Sequence, residues 1–322
     1  MSEHLLYLGT NDGVVTVRRI PGGWQEVAAG LAGCSVQALA HLPGEPRMIF
    51  AGSDGRGLFF SSDAGQSWEP RNRGLLLNRI RSVLADPANP SHLFVGTEPA
   101  AIFRSLDRGM TWEELASFRE VAGHEQWFIP YAPRAGAVCA LAAVPGIPGR
   151  LYAGIEPGGV VVTDDGGRSW RLLAGLPDLD VHQILADVDD RLVLAATGSG
   201  VYRSFDGGES WEHVLVGYTR AIALVPRRPG CIVAGPAEQV GHRGWIARSD
   251  DGGTTWYRWS DGLPTPLEGI VAQVAARPGS LNALGGVFAV LSNGVIVHRD
   301  PDQSSWALLT CGPSAITVID LT

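Results

Sequence analysis

The octapeptide SFDGGESW, residues 204–211, decides the fold of this chain, because close variants of it recur. The other copies are SSDAGQSW (61–68), SLDRGMTW (105–112), TDDGGRSW (163–170) and SDDGGTTW (249–256). All five share the pattern Ser/Thr-x-Asp-x-Gly-x-Ser/Thr-Trp. Gly adopts a positive φ at little steric cost, Asp and Ser/Thr side chains hydrogen-bond local N–H groups, and Trp supplies a large apolar surface. The pattern therefore predicts a tight turn between two strands that recurs along the chain.

Two degenerate copies extend the series to seven. Trp306 follows HRDPDQSS (298–305), and Trp24 follows RRIPGG (18–23). The tryptophans then stand at positions 24, 68, 112, 170, 211, 256 and 306, with spacings of 44, 44, 58, 41, 45 and 50 residues. This period is typical of the four-stranded blade of a β-propeller. The sequence therefore predicts an all-β, seven-bladed propeller that forms one domain over residues 1–322.

The two ends of the chain are predicted to complete one blade together. In the blade of Trp68 we expect strands at 36–42, 47–53, 57–62 and from Trp68 onward. The N-terminus begins instead with a second-strand sequence, LLYLG (5–9), while the C-terminus ends with an innermost-type strand, AITVID (315–320). Joining residues 315–322 to residues 1–31 closes the ring and removes an exposed sheet edge.

Composition argues against several classes of partner. The net charge of −8 disfavours binding to a nucleic-acid backbone, and the 25 Lys and Arg residues form no dense patch for a membrane surface. The N-terminus, Met1-Ser2-Glu3-His4, lacks a signal-peptide pattern, and no run of 18 apolar residues occurs. The four scattered cysteines are Cys34, Cys139, Cys231 and Cys311. We expect free thiols and a cytoplasmic location.

Strand direction sorts the loops of a propeller into two faces. The loops that lead into the innermost strands share the top face with the loops between the second and third strands. The Asp-containing turns lie on the bottom face. Because ligands favour a concave, pre-formed mouth, we expect a small-molecule site at the centre of the top face.

The longest tryptophan spacing contains an insertion, REVAGHEQWFIPYAPRAG (119–136), which is predicted to cross or cover this centre like a lid. Loops of this length in a compact domain are often functional. The insertion carries His124, Trp127, Tyr131 and Arg134. A packed surface flap anchored by Trp127 and Phe128 is the alternative interpretation.

Other top-face segments bring polar groups to the same region. The loops GTEPA (96–100) and GIEPGG (154–159) place Glu98 and Glu156 at equivalent positions. The segment PDLDVH (177–182) adds Asp180 and His182. GYTR (217–220) adds Tyr218 and Arg220, and QVGHRG (239–244) adds His242 at the rim.

The second residues of the seven innermost strands form a predicted ring. Its members are Gln37, Arg81, Cys139, His182, Arg220, Ala272 and Thr317. A mainly polar ring at one level is costly unless it is hydrated, paired or used.

These groups suggest roles. The predicted catalytic set is His124, His182, Glu98, Glu156 and Asp180, and the predicted substrate-binding set is Trp127, Tyr131, Arg134, Tyr218, Arg220, Arg81 and His242. His124, Glu156 and His182 could hold a divalent metal with an open coordination position. A metal-free site would use His182 or a Glu as base, while an arginine holds a substrate anion.

The repeated octapeptide resembles the Asp-box, or BNR, repeat. Propellers of this family include sialidases, xyloglucan-cleaving hydrolases, sortilin-like receptors and photosystem II assembly factors, so the resemblance implies a fold rather than one activity. The stretches Glu-Pro-Gly-Gly (156–159) and Asp-Val-His (180–182) resemble bacterial cytoplasmic Asp-box proteins of sialidase-like or glycosyl-hydrolase-like type whose activity is unassigned.

A sialidase-like site would imply an arginine triad, a Tyr–Glu nucleophile pair and an Asp acid/base, with the first arginine in an Arg-Ile-Pro motif. Arg19-Ile20-Pro21 occurs here, but it stands where a degenerate box is predicted on the bottom face. The leading hypothesis is therefore an enzyme of hydrolase or lyase type acting on a small polar or anionic substrate. A sialidase-like glycosidase and a non-catalytic scaffold for protein partners are the alternatives.

Overall fold

Seven antiparallel sheets surround one axis in the computed structural model, which describes residues 4–129, 134–188, 190–277, 285–300, 303–309 and 316–321. The innermost strand of each sheet contacts the innermost strands of both neighbouring sheets. The seven-bladed propeller predicted from the tryptophan spacing is confirmed.

The first four blades are built from β29 (Ile316–Leu321), β1 (Leu5–Thr10), β2 (Gly13–Ile20) and β3 (Gly23–Gly30); β4 (Val36–Leu42), β5 (Glu45–Ser53), β6 (Gly57–Ser61) and β7 (Glu69–Pro70); β8 (Ile80–Ala85), β9 (Leu93–Thr97), β10 (Ile102–Ser105) and β11 (Glu113–Glu114); and β12 (Ala137–Ala143), β13 (Leu151–Glu156), β14 (Gly159–Thr163) and β15 (Arg171–Leu172).

The last three blades are built from β16 (Val181–Ala186), β17 (Val193–Thr197), β18 (Gly200–Ser204) and β19 (Glu212–Val216); β20 (Tyr218–Leu224), β21 (Ile232–Gln239), β23 (Ala247–Ser249) and β24 (Tyr257–Arg258), with β22 (His242–Gly244) paired to β21; and β25 (Val271–Ala276), β26 (Val287–Leu291), β27 (Ile296–Arg299) and β28 (Ala307–Leu308). Blades are numbered 1 to 7 in this order. Two short 3₁₀ helices, Ala116–Glu120 and His124–Gln126, lie between blades 3 and 4.

The second and third strands of each blade are almost wholly buried because both faces of every sheet are covered by neighbouring blades. Large apolar side chains fill the space between sheets. Tyr7, Phe50 and Phe103 are fully buried, as are Tyr152 and Phe288. The outermost strands are partly exposed, and five of them (β7, β11, β15, β24 and β28) have only two residues, so the core lies between the blades rather than in one central layer.

Blade 1 is closed by antiparallel pairing of β29 with β1, as predicted from the two chain ends. Gly9 lies opposite Val318, and a Cβ added at Gly9 would come within 2.4 Å of Val318 Cγ1. Ile319 packs in a cluster with Leu6 and Phe288, which joins blades 1 and 7. The closure is therefore a packed interface as well as a hydrogen-bonded one.

Each intact Asp-box is held by its own side chains. In the copy at 204–211, Asp206 accepts hydrogen bonds from the Ser204 hydroxyl at 2.7 Å and from the Ser210 backbone N–H at 2.9 Å. The Gly208 N–H donates to Ser204 Oγ at 2.8 Å, and Gly208 has a φ of 89°. The boxes lie between the third and fourth strands, on the face opposite the loops that carry Glu98 and Glu156.

The low pKa of Asp206 predicts that part of the free energy of unfolding is lost in acid. The Ser210 hydroxyl, followed by the Ser210 N–H and the Ser204 hydroxyl, lowers the pKa of Asp206 from 3.8 to about 2. Its stabilising contribution is therefore present above pH 3.8 and is lost as the pH falls through 2. We expect Asp206→Asn to make the free energy of unfolding fall less steeply over this range in urea denaturation. An unchanged pH dependence would contradict this role.

Ring closure predicts a large effect at Ile319, which is 4% exposed. Ile319→Ala is expected to lower the free energy of unfolding by about 2–5 kcal/mol, because it removes buried methyl groups and leaves a cavity at the closing interface. Val188→Ala is the control, since Val188 is 65% exposed and should change stability by no more than about 0.5 kcal/mol. Similar effects of both changes in chemical denaturation would argue against closure by β29.

Candidate functional site

Every innermost strand carries a β-bulge near its start. In β12, Val138 lies opposite Ile155 while Ala140 lies opposite Gly154, so Cys139 has no partner in the ladder. The same shift leaves His182 unpaired in β16. The residues at the seven shifts include Gln37, Arg81, Cys139, His182, Arg220, Ala272 and Thr317. Since a bulge changes the direction of a side chain, these groups leave the pleated pattern of their strands.

The seven bulge residues line one cavity of about 490 Å³ at the propeller axis. We call it the axial pocket. Blades 3 to 6 contribute Arg81, Cys139, His182 and Arg220, whereas blades 7, 1 and 2 contribute Ala272, Thr317 and Gln37. The structure thus brings the whole predicted ring together. It also shows that the ionisable side chains occupy one half of the mouth and neutral side chains the other.

His182 has a defined orientation in this pocket. Its side chain is only 2% exposed, and Nδ1 lies 2.8 Å from the carbonyl oxygen of Thr219. A carbonyl oxygen can only accept, so Nδ1 carries a hydrogen and neutral His182 has its free lone pair on Nε2. Nε2 faces Asp180 Oδ2 at 3.4 Å, and the ring edge of Tyr218 packs at a centroid distance of 4.9 Å.

Two carboxylates converge on this nitrogen. Ligand atoms of Glu156, Asp180 and His182 all lie within 4.8 Å of one another, and they form the one such His/Cys/Asp/Glu group among the residues that the structure describes. Asp180 stands in the loop before β16, and Glu156 ends β13 in the neighbouring blade. The cluster therefore depends on contact between blades 4 and 5.

Cys139 and Arg220 flank Glu156. The Cys139 thiol donates to Glu156 Oε2 at 3.3 Å, and Arg220 Nη2 lies 3.9 Å from the same oxygen. Burial, followed by the charge of Glu156, raises the pKa of Cys139 to about 12. Cys139 is therefore a neutral hydrogen-bond donor in this arrangement and not a thiolate nucleophile.

Arg220 lines the pocket and lies beside Tyr218, with Arg220 Nη1 at 3.5 Å from the Tyr218 hydroxyl. Burial acts to lower the pKa of Arg220, but Tyr218 and Glu156 more than compensate, so the guanidinium pKa is raised. Burial is also the main cause of the raised pKa of Tyr218. The pocket thus contains a fixed positive charge beside a neutral phenol.

Glu98 differs from its counterpart Glu156, although both follow the second strand of their blades. The Glu98 side chain is 8% exposed and lies 3.2 Å from Arg79 Nη1 and 3.6 Å from Arg81 Nη1. This ion pairing holds Arg81 at the pocket and occupies the Glu98 carboxylate. Its predicted catalytic role stays a prediction, and its visible role is to position Arg81.

The insertion at 119–136 lies beside the axial pocket rather than over it, as far as its described residues show. Phe118 is fully buried against Trp127 and Trp170, at centroid distances of 5.4 and 5.7 Å. Phe128 is 57% exposed, so Trp127 anchors this flap and Phe128 does not. His124, Trp127 and Arg134 border a separate cavity of about 610 Å³. Tyr131 lies outside the described residues.

The proposed metal trio of His124, Glu156 and His182 is not assembled. The His124 ring packs 4.8 Å from Trp127 and 5.9 Å from Phe118, because the flap buries its aromatic side chains in the gap between blades 3 and 4. Asp180 takes the third place beside Glu156 and His182. The spacing Asp-x-His at 180–182 is the sequence signal that brings Asp180 and His182 together. The hydrogen bond from Cys139 to Glu156 has only one such signal, the place of Cys139 in the aligned ring.

Two further predicted positions lie away from the axial pocket. His242 is exposed in the β21–β22 hairpin, consistent with the rim, and it does not line the pocket. Arg19-Ile20-Pro21 ends β2 on the Asp-box face, where Arg19 Nη2 pairs with Asp300 at 2.8 Å. An arginine in that place cannot hold a ligand at the axis.

No helix among the described residues is long and apolar enough to cross a membrane. Cys34, Cys139 and Cys231 are free thiols.

A model of a known repeat family matches one of the octapeptide copies. The BNR/Asp-box repeat model matches residues 202–213, the copy that contains SFDGGESW. The chain thus carries an Asp-box repeat on a seven-bladed β-propeller fold. No curated protein sequence matches it.

Solved structures share the fold at low sequence identity. The GH74 xyloglucanase from Xanthomonas campestris is 19% identical with a TM-score of 0.74, over 96% of this chain and 53% of that enzyme. The GH74 enzyme from Niastella koreensis is 16% identical with a TM-score of 0.68, over 96% and 55%. The chain thus spans about half the length of these enzymes. YCF48 bound to D1 peptide is 17% identical with a TM-score of 0.55, over 85% of this chain and 82% of that one.

The hydrogen bond to Thr219 predicts an uncommon tautomer for His182. In the neutral imidazole we expect the hydrogen on Nδ1, because the Thr219 carbonyl lies 2.8 Å from it. Long-range ¹H–¹⁵N spectra of ¹⁵N-histidine-labelled protein at high pH should show Nε2 as the unprotonated nitrogen, with the signal assigned by its loss in His182→Ala. A hydrogen on Nε2 would contradict this orientation.

Proposed function

We propose that the axial pocket binds a small anionic molecule and that the protein is an enzyme of hydrolase or lyase type. The observation that carries this proposal is that His182, which lines the pocket, converges with Glu156 and Asp180, with ligand atoms of the three residues within 4.8 Å of one another. A histidine with a fixed tautomer beside carboxylates is suited to proton transfer, since one nitrogen is available and the other is held.

The two arginines supply recognition of the anion. Arg220 and Arg81 line the pocket, and each lies near a carboxylate that keeps it in place. Charge-assisted hydrogen bonds from such groups suit a carboxylate or a phosphate ester. The cavity of about 490 Å³ falls in the usual range for small-molecule sites. The neutral arc of Ala272, Thr317 and Gln37 would face the rest of the substrate.

The free thiols Cys34, Cys139 and Cys231 support a reducing compartment, and we therefore place the proposed activity in the cytoplasm.

A sialidase-like activity has less support. Arg81 and Arg220 line the axial pocket, but Arg134 borders the separate cavity beside the flap, so the described residues do not gather three arginines there. The raised pKa of Tyr218, caused mainly by burial, also disfavours the phenolate that a tyrosine nucleophile needs.

A scaffold that binds a protein partner is the second candidate. The cavity beside the flap is bordered by Trp127 and the exposed Phe128, together with Arg119 and Arg134. Exposed aromatic and arginine side chains are common at protein interfaces. One structural relative is described as YCF48 bound to a peptide, which favours this second reading for a surface of the same fold.

The leading proposal predicts selective loss of ligand in Arg220→Ala. Purified protein would be extracted and analysed by mass spectrometry for bound metabolites, and dicarboxylates and phosphate monoesters would be titrated by calorimetry. Loss of one charged hydrogen-bonding group should weaken binding roughly 10- to 100-fold. His182→Ala should abolish turnover of any bound substrate followed by ¹H NMR.

Arg168→Ala is the matched control, because Arg168 is an exposed arginine in the Asp-box of blade 4. It should leave binding unchanged. Equal affinities of Arg220→Ala and the parent protein would overturn the proposal. It would also be overturned if neither the extracted metabolites nor the titrated compounds included an anion that binds. A stoichiometric protein partner retained in both variants, without a small molecule, would favour the scaffold instead.

A further inference from the structure

We propose that Glu156, Asp180 and His182 form a binding site for one divalent transition-metal ion, with Zn²⁺ as its simplest probe. This inference rests on the proposed function of the axial pocket and assigns it a cofactor. It replaces the trio that included His124, because His124 packs within the flap.

Three electron-pair donors face one another in this cluster. When His182 is neutral, its Nε2 presents a lone pair to Asp180 Oδ2 at 3.4 Å, and a Glu156 oxygen lies within 4.8 Å of both atoms. The donors described nearby, Cys139 and Arg220, both approach Glu156. None of the hydrogen bonds among the described residues ends on the Asp180 carboxylate. Asp180 is 43% exposed and therefore partly hydrated, and a divalent cation between the groups would offset the repulsion of the two carboxylates.

A hydrogen bond from outside the cluster orients His182. Its side chain is only 2% exposed, and its Nδ1–H donates to the Thr219 carbonyl oxygen at an N···O distance of 2.8 Å. Metal-binding histidines almost always donate their second ring N–H to a carbonyl or carboxylate, which fixes the ring and aims the free nitrogen at the ion. This hydrogen bond lies outside the three-residue cluster and comes from a different strand, β20.

The distance between His182 Nε2 and Asp180 Oδ2 suits a small ion. Two atoms 3.4 Å apart subtend roughly 110° at an ion about 2.1 Å from each, which is close to tetrahedral coordination. The two carboxylates would offset the charge of a divalent ion. Three protein ligands also leave one coordination position open, which is the arrangement of catalytic zinc sites.

The chemistry of the ligands selects the class of ion. Imidazole nitrogen with carboxylate oxygen suits Zn²⁺ and neighbouring transition metals, whereas Mg²⁺ and Ca²⁺ prefer oxygen ligands and higher coordination numbers. When bound, the ion would lower the pKa of a coordinated water. His182 would then serve as a ligand, while Arg220 and Arg81 would still hold the substrate anion.

A zinc titration of the full chain tests the inference without measuring activity. Protein freed of metal by EDTA and dialysis would be titrated with ZnCl₂ by calorimetry and in competition with a chromophoric chelator. We expect one Zn²⁺ per chain, and MgCl₂ at the same concentration should not displace it. Asp180→Asn and Glu156→Gln keep side-chain size and should each weaken binding at least about tenfold, since even outer-shell changes have that effect.

His92→Ala is the matched control. His92 lies 3.9 Å from Asp86 in a partly buried turn, and no third candidate ligand joins this histidine–carboxylate pair among the described residues. Its loss should leave the zinc affinity unchanged. Absence of stoichiometric binding in folded protein, or equal affinity in Asp180→Asn and the parent, would overturn the inference and leave a proton shared by His182 and Asp180 as the explanation of the cluster.

The two proposals can fail separately. Zinc binding that depends on Asp180, without any bound anionic molecule, would support the metal site and count against the enzymatic role. Anion binding that depends on Arg220, without zinc binding, would retain the axial pocket as a ligand site and overturn the metal.

Discussion

Antiparallel pairing between β1 and β29 holds the two ends of the chain in one blade, and the geometry of the axis depends on it. Without β29, blade 1 would expose an unpaired strand edge and the apolar surface of Leu6 and Phe288. The same strand also supplies Thr317 to the axial pocket. The strand β29 therefore both closes the ring and completes the axial pocket, because each innermost strand is positioned by both of its neighbours.

The bulges turn this repetitive ring into a site. A regular strand would direct alternate side chains toward the adjacent blades, but the extra residue in each ladder sends one side chain to the axis. Because the bulge recurs in all seven blades, it belongs to the architecture. The difference lies in which side chains occupy it, with Arg81, Cys139, His182 and Arg220 on one half and neutral groups on the other. Function on this fold is thus a matter of unrepeated residues at a repeated position.

The Asp-boxes and the candidate site occupy opposite ends of the blades. The boxes satisfy their own hydrogen bonds, as Asp206 does with Ser204 and Ser210, so they stabilise turns without contacting the pocket. This separation explains how a chain can share its fold with GH74 enzymes and with YCF48 at 14–19% identity. The likeness extends over the scaffold, whereas the repeat does not specify which side chains occupy the bulges of the axial pocket.

The sequence by itself determined the seven blades, the closure by the last strand and the ring of polar residues, because these follow from local patterns that repeat with a fixed period. Tertiary structure alone decided which of the candidates meet. Asp180 joins Glu156 and His182 because blades 4 and 5 pack side by side, whereas His124 is drawn into the flap by aromatic contacts with Trp127 and Phe118. Distances between residues of different blades depend on sheet packing and on the particular side chains at each bulge, and these do not repeat with the period of the blade.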